Sequence, residues 1–211
     1  MDQIKIILAD DHANVRQGLR KLLDRSPRVK VVGEAGDGIE ALHLANNLKP
    51  DVLLLDVEMP GMKGIEVSKR LLESAPSVQV LALSGYTEKR YILGMFASGA
   101  AGYLTKDEAP KLLITAIQEI AAGRRGWISP KVFDKLDIPP PRVSSDGKPA
   151  LTNIELRILR SIAAGMVDPE IETEMHLESS VVADYIQSII KKLGVNTRLE
   201  AVLRAIQEDL I

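Results

Sequence analysis

The 211-residue chain has no cysteine, which excludes a disulfide framework and a thiolate-bound zinc. This absence fits a reducing cytosol. No stretch approaches 18 consecutive apolar residues, and the N-terminus shows no basic-then-apolar leader. Neither a membrane span nor a secretory signal is therefore expected, and a soluble, cytoplasmic protein is. The net charge is −2, which gives no overall bias towards nucleic acid or membrane. His12, His43 and His176 are scattered without ligand spacing, so structural or surface roles are expected for them. No Ser-His-Asp or Cys-His arrangement can be built. What the chain does have is 45% apolar residues, enough for a real core and against wholesale disorder.

Three carboxylates end two of its apolar runs, and a lysine ends a third. Ile4-Lys5-Ile6-Ile7-Leu8-Ala9 runs into Asp10 and Asp11, Val52-Leu53-Leu54-Leu55 runs into Asp56, and Gly102-Tyr103-Leu104-Thr105 delivers Lys106. Nearly continuous apolar runs of this length mark strands covered on both faces, as in a parallel sheet flanked by helices. Ligands bind at the carboxyl edge of such sheets. The acids and the lysine should therefore converge on one pocket suited to phosphoryl groups and a divalent metal. Mg²⁺ takes one or two carboxylates plus phosphate oxygens. Asp56 can serve as carboxylate nucleophile, and Lys106 can neutralise a transferred phosphoryl group. Ser84, at the end of the run 78–83, adds a hydroxyl at the same edge.

Strand and helix patterns alternate through residue 122. Strands are expected near 4–9, 29–35, 51–55, 78–83 and 101–105, each followed by a helical pattern. That rhythm predicts an α/β domain with a five-stranded parallel sheet. Residues 123–149 break it with Gly123-Arg124-Arg125-Gly126, Pro139-Pro140-Pro141 and Ser144-Ser145-Asp146-Gly147, and read as linker. Within it, Trp127, Ile128, Val132 and Phe133 are apolar enough to dock on a domain. From Leu151 onward only helical patterns occur. Thr152 and Glu155 form a capping-box pair, and further helices are expected near 168–175, 178–193 and 197–209. Four short helices with tight joints suggest a small all-α helix-turn-helix domain at 150–211.

Residues 1–122 resemble the receiver domain of two-component response regulators. The resemblance rests on Ala9-Asp10-Asp11, Leu55-Asp56-Val57-Glu58-Met59-Pro60-Gly61, Leu83-Ser84-Gly85 and Gly102-Tyr103-Leu104-Thr105-Lys106. It implies that Asp56 accepts a phosphoryl group from a histidine kinase. It also implies that Asp11 chiefly, with Asp10, Asp56 and the main-chain carbonyl of Glu58, holds Mg²⁺. Lys106 then contacts the phosphoryl group, Ser84 follows it, and the ring of Tyr103 turns inward. Residues 150–211 resemble the LuxR-type helix-turn-helix, through Leu151-Thr152, Glu155, Ile158-Leu159, Gly165, Val182, Ile186 and Lys191-Lys192-Leu193-Gly194-Val195. In that family the third helix enters the major groove and the fourth commonly mediates pairing, so DNA and a homodimer on activation are the implied partners.

The implied DNA-contacting face departs from the family's usual polarity. It comprises Ser180, Val181, Ala183, Asp184, Tyr185, Gln187, Lys191 and Lys192, and lacks lysine at 183 and 187. The preceding helix carries Asp168, Glu170, Glu172 and Glu174. Residues 150–211 hold six Lys/Arg against ten Asp/Glu, a net charge of −4. Phosphate neutralisation supplies most non-specific DNA affinity, so this domain is poorly charged for it. The leading reading is a phosphorylation-controlled transcriptional regulator. The alternative is a degenerate helix-turn-helix acting through protein contacts or heterodimerisation. An enzyme acting on another substrate is disfavoured, because no substrate-recognition element beyond the receiver is evident.

Overall fold

Val52, Leu53, Leu54 and Leu55 are all buried in strand β3 (Val52–Asp56), the interior of a parallel sheet. The computed structural model describes residues 3–136 and 151–211, which cluster into two units, Met1–Lys135 and Leu136–Ile211. In the first unit β1 (Ile4–Ala9), β2 (Val29–Ala35), β3, β4 (Gln79–Ser84), β5 (Gly102–Thr105) and β6 (Trp127–Ile128) lie in the order β2-β1-β3-β4-β5-β6. The order reverses between β1 and β3, and that reversal opens a crevice at the carboxyl ends of these two strands. Asp10 and Asp56 stand there because each is the first polar residue after an apolar run.

Helices α1 (Ala13–Leu23), α2 (Gly38–Leu48), α3 (Gly64–Ser74), α4 (Lys89–Ala97) and α5 (Ala109–Ala121) cover the sheet. Their buried faces come from residues at helical spacing, such as Leu19 and Leu23 of α1 and Leu113, Ala116, Ile117 and Ile120 of α5. Local chemistry sets the helix starts. Asp37 caps α2 by accepting the amides of Ile39 and Glu40 at 2.9 and 2.8 Å. Leu54 lies in the sheet core, and truncating it to alanine would cost about 2–5 kcal/mol.

The sheet has six strands where the sequence pattern predicts five. The sixth falls within the stretch read as linker. Gly123 (φ 96°) and Gly126 (φ 72°) turn the chain back after α5. Left-handed backbone of this kind suits glycine. Trp127 then donates its amide to Ala101 at 3.0 Å, and Ser129 donates to Tyr103 at 3.3 Å. Two residues are too short for a periodic signal, so pairing with the open edge of β5 decides the conformation. A short helix, α6 (Pro130–Lys135), follows with Val132 buried. Pro139–Pro141 and Ser144–Gly147 lie outside the described residues.

The second unit contains α7 (Asn153–Ala163), α8 (Asp168–Met175), α9 (Ser179–Leu193) and α10 (Arg198–Gln207). The Thr152–Glu155 capping box is present on α7. Ile158, Leu159, Ile171, Val182, Ile186, Ile189, Leu193 and Val202 form a common core. Gly194, with φ 67°, ends α9.

Candidate functional site

The pocket at the carboxyl edge is built around one cation. Lys106 Nζ lies 2.6 Å from Asp10 Oδ2 and 2.6 Å from Asp56 Oδ2. Strand pairing positions the lysine, since its amide donates to the Ser84 carbonyl at 2.9 Å. Asp10 and Asp56 are buried, whereas Asp11 is open to solvent. The Glu58 amide approaches Asp56 Oδ1 at 3.4 Å, and the Glu58 carboxylate pairs with Lys63 at 3.1 Å. Gly64 allows this turn to close on the site, because a Cβ there would stand 2.3 Å from the Asp56 carbonyl oxygen.

Burial pushes the Asp56 carboxyl above the usual carboxylate range. Lys106 pulls against that rise, and Asp10 adds to it. For Lys106 burial works downward, but the hydrogen bonds to Asp10 and Asp56 outweigh it and hold the ammonium above its ordinary value. The groups are therefore short of positive charge. Ligand atoms of Asp10, Asp11, His12 and Asp56 lie within 4.8 Å of one another. Asp10 Oδ2 is buried and, among the described residues, finds no partner besides Lys106. Hard carboxylate oxygens with excess negative charge suit Mg²⁺.

His12, expected from its spacing to have a structural or surface role, is exposed but stands beside the acidic pair. Its Nδ1 lies 2.6 Å from Asp11 Oδ1 and 3.5 Å from Asp10 Oδ1. Its position directly after the acidic pair was the available signal. Arg16 was missed. It donates to the Asp10 carbonyl at 2.6 Å and so braces the β1–α1 turn.

Ser84 and Tyr103 meet through a third residue. The Ser84 hydroxyl accepts the Tyr86 amide at 3.1 Å, and the Tyr103 hydroxyl donates to the Tyr86 carbonyl at 3.0 Å. Both side chains are fully buried, with the Tyr103 ring turned in. Burial pushes the Tyr103 hydroxyl up to about 12, against the hydrogen bond with Ser84.

In the helical unit, Ser180, Ala183, Asp184, Gln187 and Lys191 are exposed on α9. Val181 and Tyr185 are half-buried, and Tyr185 packs against the core. Lys192 instead reaches inward. Its ammonium donates to the buried carboxylate of Glu155 at 2.8 Å, and the Ser188 hydroxyl donates to the same group at 2.7 Å. Glu155 thus caps α7 and ties it to α9.

A doubly wound receiver with an acidic, lysine-bridged pocket and a four-helix output unit defines a response regulator. Residues 6–118 match the response regulator receiver domain family, and residues 149–205 match the bacterial regulatory proteins of the luxR family. The chain belongs to the response regulators with a LuxR-type helix-turn-helix. It is 33% identical to the probable transcriptional regulatory protein NarL of Mycobacterium tuberculosis, over 100% of this chain and 97% of that protein. It is also similar to the response regulator ChrA of a heme-sensing two-component system, at 32% identity and TM-score 0.56 over 100% of both chains. A structure of two RcsB dimers bound to two parallel DNAs aligns at 25% identity and TM-score 0.60, over 98% of each chain. Relatives with names of this kind favour transcriptional regulation over an output that acts through protein contacts alone.

Proposed function

We propose that Asp56 is the phosphoacceptor of a two-component relay and that its phosphorylation controls DNA binding by the 150–211 domain. The observation that carries this reading is the shared Lys106 bridge between two buried carboxylates, Asp10 and Asp56. A histidine kinase presents the phosphoryl group on an imidazole nitrogen. An Asp56 carboxylate oxygen attacks phosphorus, the P–N bond breaks, and the imidazole keeps the bonding pair. Asp11, Asp10, Asp56 and the Glu58 main-chain carbonyl would hold Mg²⁺, which when bound neutralises charge on the transferred group. Lys106 moves from the carboxylates to the new phosphoryl oxygens. Ser84 turns towards the same oxygens, releasing its hold on Tyr86 and with it the Tyr103 ring.

Residues 1–122, joined by β6 and α6, act as the phosphoacceptor domain, the rest of 123–149 as the connection and 150–211 as the output domain, in a cytoplasmic protein with no membrane partner. Activation pairs two copies of the chain, and the exposed face of α9 with Ser180, Ala183, Asp184, Gln187 and Lys191 meets the duplex, flanked by the half-buried Val181 and Tyr185, while Lys192 stays tied to Glu155. The protein is a switch that gains and loses one phosphoryl group, with no external substrate. Intact mass spectrometry after incubation with Mg²⁺ and a small phosphodonor tests the assignment. One phosphoryl group of about 80 Da should be added, and it should be lost in base. An adduct retained in Asp56→Asn would overturn the assignment.

A further inference from the structure

The turn that delivers Lys106 is gripped from outside the five strand-helix pairs. Glu108, two residues past the lysine, accepts at Oε2 from the Thr105 hydroxyl at 2.6 Å and from the Ser129 hydroxyl at 2.5 Å. Its Oε1 accepts the Lys131 amide at 3.3 Å. The Lys131 ammonium pairs with Asp107 beside it. Ser129 is fully buried, and its own amide donates to the Tyr103 carbonyl at 3.3 Å. A single short segment, Trp127–Lys131, thereby fixes both flanks of the turn.

The contacts differ in weight. Asp107 and Lys131 are solvent-exposed, and such pairs contribute little. The bonds to Glu108 are charge-assisted, and one donor is a hydroxyl with no access to water. A buried hydroxyl that loses its acceptor is left with its full desolvation cost. Ser129 and Glu108 therefore carry the grip.

We propose that Glu108 and Ser129 are positioning residues that hold Lys106 where it meets a phosphoryl group on Asp56. The inference rests on Asp56 being the phosphoacceptor. Lys106 follows Thr105, which Glu108 anchors twice, through its carboxylate on the Thr105 hydroxyl and through its amide on the Thr105 carbonyl at 3.2 Å, so the hold that Ser129 keeps on Glu108 bears on both ends of the turn.

The test uses the full-length protein and calorimetric titration with Mg²⁺ alone, then with beryllofluoride in saturating Mg²⁺. Ser129→Ala should weaken beryllofluoride binding by about 3–10-fold, the worth of one hydrogen bond. Its Mg²⁺ affinity should be unchanged or higher, because a displaced lysine no longer competes for Asp10 and Asp56. Ser129→Thr, which keeps the hydroxyl, should restore the wild-type value. Glu108→Gln should act in the same direction as Ser129→Ala and provides the reading if that variant folds poorly. Equal losses for Mg²⁺ and beryllofluoride would mean general loosening and would overturn the proposal, as would wild-type binding in both variants. A wild-type protein that takes Mg²⁺ but no beryllofluoride would instead refute the Asp56 assignment, and the positioning role with it.

Discussion

Lys106 Nζ stands equidistant, at 2.6 Å, from Asp10 Oδ2 and Asp56 Oδ2, so two buried carboxylates share one cation. Removing one partner from a buried ionic group costs about 3–5 kcal/mol. Lys106→Met should therefore lower the melting temperature in the presence of a chelator. Mg²⁺ replaces the missing charge and binds only the folded pocket, so its stabilisation follows mass action. The Mg²⁺-induced rise in melting temperature should be larger in the variant than in wild type. Equal rises in the two proteins would show that the lysine and the metal do not occupy the same electrostatic niche.

Ser84 and Tyr103 both bond to the main chain of Tyr86, one through its amide and the other through its carbonyl. A serine drawn towards a phosphoryl group would free the amide and loosen the loop that holds the tyrosine. Ser84→Ala should still bind Mg²⁺ and accept phosphate, but the change in oligomeric state on activation should be blunted. Light scattering with and without beryllofluoride measures this. A wild-type response in Ser84→Ala would remove Ser84 from the mechanism.

The pocket was legible in the sequence because its chemistry sits at the ends of long apolar runs. Asp10, Asp56 and Lys106 needed only the strand assignment to be brought together. What pattern could not give came from short or two-sided elements. Trp127 and Ile128 are too few to show a period, and only the open edge of β5 makes them a strand. Lys192 looks like an exposed cation from its spacing, yet its long side chain reaches Glu155 some 37 positions earlier. His12 lacks a second histidine at ligand spacing, and it joins the carboxylates only because the β1–α1 turn folds back on them.

Glu155 makes the helical unit sensitive to acid. Burial works to raise its carboxyl, but hydrogen bonds from Lys192, the Thr152 amide, Ser188 and the Thr152 hydroxyl outweigh it and hold it at about 2. A carboxyl depressed on folding contributes stability above its unfolded value, near 4.5, and loses it as pH falls towards 2. At about 1.4 kcal/mol per unit this amounts to roughly 3 kcal/mol. Denaturant melts of the helical unit should therefore weaken steeply between about pH 4.5 and 2. Glu155→Gln should lose most of that stability at pH 7 and flatten the acid limb. A variant with the wild-type acid profile would place the sensitivity elsewhere.

The charge of the output domain sets the last expectation. Three of its six cations are held in internal pairs, Lys192 with Glu155, Arg198 with Asp168 and Arg204 with Glu208. Along α9 this leaves Lys191 exposed, next to a surface that includes Asp184 and Gln187. Each neutralised phosphate contributes about −0.9 to the slope of log K against log salt. With few cations available, the slope for a dimer should be shallow, between about −2 and −4. A single copy should bind duplex DNA only weakly, at about 10⁻⁴ M or worse at physiological salt, the weak end of non-specific binding. Useful affinity should then require the phosphorylated dimer, with two α9 helices spaced for half-sites one helical turn apart. Asp184→Lys with Gln187→Lys adds two cations per copy on the exposed face, and it should steepen the slope by about 2–4 and tighten binding without altering the fold. Fluorescence anisotropy with genomic fragments across a salt series measures both quantities. Nanomolar, steeply salt-dependent binding by the unmodified, unphosphorylated protein would show that the acidic surface does not limit DNA recognition.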